Sequence, residues 1–190
     1  MKSMIILTAL AALLAANPAT AHGPHEHGAA RLDVTVDGST VSIDLESPLA
    51  NALPFEHAPS TPAQREAVQN MAAALHRADK IFILPAAAQC RLKTVTLQSE
   101  ALPAELLGAS TAQQPTKPEH ADHDAHATEA QHADLDASFV FECAKPETLK
   151  SMDVGLFSAW PALHELRVQV VSPTGQHAAE LTAKAHTLQW

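Results

Sequence analysis

Residues 31–46 read Arg-Leu-Asp-Val-Thr-Val-Asp-Gly-Ser-Thr-Val-Ser-Ile-Asp-Leu-Glu. Leu32, Val34 and Val36 fall on one face of the first half, and Val41, Ile43 and Leu45 on one face of the second, with Asp37-Gly38 between them. Period-two alternation on both sides of a glycine turn specifies a β-hairpin that buries one face. A second hairpin closes the chain. Leu166, Val168 and Val170 alternate, Ser172-Pro173-Thr174-Gly175 turns, and residues 176–189 return in looser alternation. Between the hairpins lie strand candidates at 81–84, at 91–98 with Leu92, Val95 and Leu97, and at 137–143 with Phe139 and Phe141. Six or so short strands at this spacing predict a mainly β (α+β) fold, an antiparallel β-sandwich clasped by one or two helices.

The clearest helix begins at Thr61-Pro62-Ala63-Gln64, which offers an N-cap, a proline at the first helical position and a glutamine that completes a capping box. Val68, Met71, Ala72 and Leu75 then recur at helical spacing, predicting a helix to about residue 78. A shorter helix is expected over 146–152. The apolar run 152–160 fits strand and helix equally by periodicity.

The first 21 residues have a basic start at Lys2, an apolar run over 5–14 and the small-residue exit Ala19-Thr20-Ala21. This is the pattern of a secretory signal peptide. A membrane anchor needs about 20 apolar residues, and here the run breaks at Asn17-Pro18. The expected mature chain, 22–190, is one domain exported to the periplasm, without a further membrane span, and a monomer is expected. In an oxidising compartment Cys90 and Cys143, the only two cysteines, are read as one disulfide. The alternative is a thiolate metal ligand, disfavoured because neither cysteine belongs to a Cys-x-x-Cys pair.

A net charge of -9 and a pI near 5.7, with no basic cluster, argue against nucleic acid and anionic membrane surfaces, which require a positive footprint. No catalytic signature is present. His164-Glu165-Leu166-Arg167-Val168 lacks the second histidine of a zinc-protease helix, and there is no nucleophile elbow, phosphate-binding loop or dinucleotide fingerprint. The chain therefore reads as a binding protein and not an enzyme.

The anomaly is 12 histidines in 190 residues. Seven of them lie in two short tracts. One is His22-Gly23-Pro24-His25-Glu26-His27-Gly28. The other holds His120, Asp122, His123, Asp124, His126 and His132, inside a segment, 108–134, that carries no bulky apolar residue between Leu107 and Leu135. Such a composition buries too little surface to offset the entropy of ordering, so 108–134 is expected to be a flexible insert. With Cys90 and Cys143 on the strands that flank it, the disulfide is expected to pin the insert at its base. Neutral imidazole is the commonest ligand for zinc and also suits copper and nickel, while carboxylates complete a shell or orient the second ring nitrogen. The two tracts therefore predict binding of several Zn²⁺ ions, with Cu²⁺ or Ni²⁺ as competitors. His57, after Phe55-Glu56, is a candidate to join the N-terminal cluster, whereas His76, His164, His177 and His186 read as ordinary packing or surface residues. Two other readings stay open. Cleavage after Ala21 would give His22 a free amine beside its imidazole, a chelating pair suited to copper. A metal-independent envelope interaction module is the other, although two Trp and no Tyr offer little for a sugar platform.

Taken in order, His25-Glu26-His27-Gly28, Leu45-Glu46-Ser47-Pro48 with Asn51, Phe55-Glu56-His57, Leu84-Pro85 leading to Cys90, the His/Asp insert, Phe141-Glu142-Cys143 with Pro146, Asp153-Val154-Gly155-Leu156-Phe157 leading to Trp160-Pro161, and Gly175-Gln176 resemble the ZrgA family of zinc-uptake proteins of Gram-negative bacteria. The resemblance covers nearly the whole mature chain. It implies a β-sandwich clasped by helices that binds zinc in the periplasm and assists import through a zinc ABC transporter or its binding protein. It also implies His120, His123, His126 and His132 as ligands, with Asp122 and Asp124 beside them.

Overall fold

A computed structural model describes residues 26–108 and 133–190. The expected signal peptide and residues 109–132 of the expected insert lie outside them. The described chain runs β1 (Ala29–Asp37), β2 (Thr40–Pro48), α1 (Pro62–Leu75), β3 (Phe82–Ile83), β4 (Cys90–Gln98), β5 (Asp134–Cys143), β6 (Ser151–Val154), α2 (Leu156–Ala159), β7 (Glu165–Ser172), β8 (Gly175–Leu181) and β9 (Thr187–Gln189), with single 3-10 turns between several of them. β1 and β2 form the hairpin anticipated from 31–46, turning at Gly38 with φ +56°. Leu32 faces Leu45, Val34 faces Ile43 and Val36 faces Val41, and all six side chains are buried.

The strands make two sheets, one of six strands in the order β4-β5-β2-β1-β7-β8 and one of three in the order β3-β6-β9. The ring of Phe82 on β3 lies 5.1 Å from that of Phe139 on β5, a contact that joins the sheets across one hydrophobic core. α1 adds Val68, Met71, Ala72 and Leu75 to that core. It begins as the sequence specified, since the Thr61 hydroxyl accepts from the Gln64 N–H and the Gln64 side chain accepts from the Thr61 N–H. The fold is mainly β, with few helices, as expected.

Several details differ from the expectations. The large sheet is mixed, because β1 pairs with β7 in parallel. The two strands start at the same end of the sheet and are separated by most of the chain, which supplies the crossover a parallel pair requires. The three-residue step from Leu92 to Val95, irregular for a strand, is absorbed by a register shift between Leu92 and Thr94, which restores Val95 opposite Phe139 and Leu97 opposite Ala137. α1 ends at Leu75, short of 78, capped by the His76 N–H on Ala72 O. The helix expected over 146–152 is only one 3-10 turn, Pro146–Thr148. The ambiguous run 152–160 divides instead into strand β6, which places Met152 opposite Leu188, and the single turn α2. The return from the second hairpin stops at Leu181, paired with Leu166. After a bridge between Thr182 and Ala185, residues 187–189 join the other sheet, where Leu188 is buried opposite Met152.

Cys90 and Cys143 are bonded and directly opposed on β4 and β5. They lie at the end of that ladder away from the insert. The pairs run from Cys90 opposite Cys143 to Gln98 opposite Asp136, about 23 Å along β5 at the usual rise per strand residue. The expectation that the disulfide pins the insert at its base is therefore corrected. Instead the His76 Nε2 donates to Leu107 O at 2.8 Å on the side of residue 108, and the Leu49 N–H donates to Ala133 O at 2.8 Å where the described chain resumes. Gly108, at φ +78°, passes so close to His76 that a Cβ would lie 2.6 Å from Nε2.

Candidate metal centre

One end of the six-stranded sheet gathers the starts of β1, β5 and β7 and the end of β2, with Ala29 beside Glu165 and Asp134 beside Pro48. β2 continues there into the 3-10 turn Leu49–Asn51. Asn51 is buried and uses its amide in full view of the backbone: Oδ1 accepts from Gly28 N at 2.8 Å, while Nδ2 donates to Ala29 O at 2.8 Å and to Ser47 Oγ at 3.0 Å. The Gly28 carbonyl accepts from the N–H groups of His164 and Glu165 at 2.7 and 2.9 Å. Gly28 holds φ +87°, and a Cβ there would meet the His164 ring at 3.0 Å. Both the left-handed backbone and the close approach require glycine. Thus one turn anchors the end of the N-terminal histidine tract through Asn51 and, through Leu49, the point where the chain leaves the His/Asp segment.

The pinned backbone sets the side chains before Gly28. Glu26 reaches Arg167 on β7 at 2.9 Å, and Arg167 also donates to Glu165 at 2.6 Å. These hydrogen bonds, Glu26 first, hold the Arg167 guanidinium in its charged form and raise its pKa above the ordinary value. The side chain is mostly exposed, so it orients the segment more than it stabilises the fold. His27 Nε2 stands 3.3 Å from Glu56 Oε1, with the carboxylate largely buried at 19% exposure and the imidazole half exposed at 52%. His57 points its Nδ1 at the Ala58 carbonyl, 2.9 Å away, and packs its ring 5.3 Å from that of Phe55. A carbonyl oxygen only accepts, so Nδ1 carries a proton and, in the neutral ring, Nε2 keeps the lone pair a metal would use.

Of the residues expected to bind metal, His22, His25, His120, Asp122, His123, Asp124, His126 and His132 lie outside the described residues. His27 and His57 are described. The structure pairs His27 with Glu56, which stands in Phe55-Glu56-His57 but belongs to neither histidine tract. Among the described residues no three His, Cys, Asp or Glu side chains are close enough to share one ion. Cys90 and Cys143 are spent in the disulfide, which removes the thiolate alternative. Among the same residues no helix is long and apolar enough to cross a membrane.

A family model described as "ZrgA family zinc uptake protein" matches residues 24–190, a span that includes all the strands and both histidine tracts except His22. No curated protein matches the chain.

Proposed function

Because the chain belongs to the ZrgA family of zinc uptake proteins, we propose that it captures Zn²⁺ in the periplasm on its His/Asp-rich segment and N-terminal tract, as a buffer or accessory for uptake rather than as an enzyme. The family match carries the zinc assignment. Support for the ligands comes from chemistry: His120, His123, His126 and His132, with Asp122 and Asp124, are the donor types zinc prefers, concentrated where the sequence offers no core-forming residue. His22, His25, His27 and His57 supply the N-terminal part. The disulfide between Cys90 and Cys143 suits an exported protein.

The mechanism is exchange. Ions that are only incompletely coordinated are held loosely, so a zinc ABC transporter or its binding protein removes them quickly. Ligation needs neutral imidazole, so affinity falls as the pH drops through about 6.5. The test is a calorimetric zinc titration of residues 22–190 beside a variant with His120, His123, His126 and His132 changed to Ala, with copper as the competing metal. Loss of most zinc sites in the variant is expected. Zinc binding unchanged there, or after deletion of 111–134, would remove the arm from the mechanism.

A further inference from the structure

We draw no further inference here: the strongest candidate, the outer edge of β8 (Gly175–Leu181), which ends the six-stranded sheet and among the described residues pairs with no strand but β7, carries nothing, because nothing in the structure shows what covers it.

Discussion

Replacing Asn51 with Ala tests whether one buried amide organises the end of the sheet where the histidine segments meet the body. The change deletes three hydrogen bonds, at 2.8, 2.8 and 3.0 Å, to Gly28 N, Ala29 O and Ser47 Oγ. Each is worth about 1 kcal/mol net, and a buried donor or acceptor left without a partner costs about 1–3 kcal/mol. The Gly28 N–H and Ala29 carbonyl are both in buried residues, while the Ser47 hydroxyl keeps its bond to Pro48 O, so the expected loss is about 3 kcal/mol, within about 2–5. For a domain of this size that lowers Tm by roughly 6–12 °C. Urea unfolding in chelator measures it directly, with an unchanged m-value showing that the folded body is otherwise intact. A loss below about 1 kcal/mol would refute the reasoning, since it would mean that water or a backbone shift replaces all three bonds.

Four other outcomes follow from the same geometry. Asn51→Asp keeps an acceptor for Gly28 N but sets a carboxylate against the Ala29 carbonyl; burial there raises its folded pKa above the unfolded value of about 3.9. The folded state then binds the extra proton more tightly, so the variant's stability is expected to fall as pH rises from about 4 through the raised value, a trend absent from the native protein when unfolding is measured at pH 4 and 7. Gly108→Ala is expected to cost about 1–3 kcal/mol, because the residue sits at φ +78° with His76 Nε2 in the way; adding His76→Ala should recover the steric part, and a double-mutant cycle with no coupling would count against the contact. Reducing Cys90–Cys143 removes about 4 kcal/mol on the chain-entropy model, read as a lower Tm in reductant that the Cys90→Ser/Cys143→Ser double variant reproduces and no longer shows a response to reductant. Thr61→Ala breaks the capping box at α1 and should cost about 1 kcal/mol, with no change in zinc titration.

Most of the architecture was legible because it is written in local patterns. The alternation of 31–46 required a hairpin with Leu32, Val34, Val36, Val41, Ile43 and Leu45 inward, and Thr61-Pro62-Ala63-Gln64 required a helix start, since capping and pleat both act over a few residues. The histidine content pointed to zinc, in line with the family match, and Cys90 and Cys143, the only two cysteines, are joined as expected. Where local preference was weak, the tertiary structure decided. Met152 became strand because β3 and β9 flank it, and 187–189 crossed to the second sheet, where Leu188 is buried opposite Met152. The parallel pairing of β1 with β7 depends on the path of the whole chain. So does the site. Nothing in the spacing along the chain announces that Gly28 meets Asn51, Glu26 meets Arg167 or His27 meets Glu56, because hydrogen bonds and ion pairs act through space over about 3 Å, whereas sequence records only order. The sequence by itself determined which residue types and which strands this protein has to work with; only the tertiary structure brought His27 against Glu56 and set the disulfide at the end of the ladder away from the His/Asp segment.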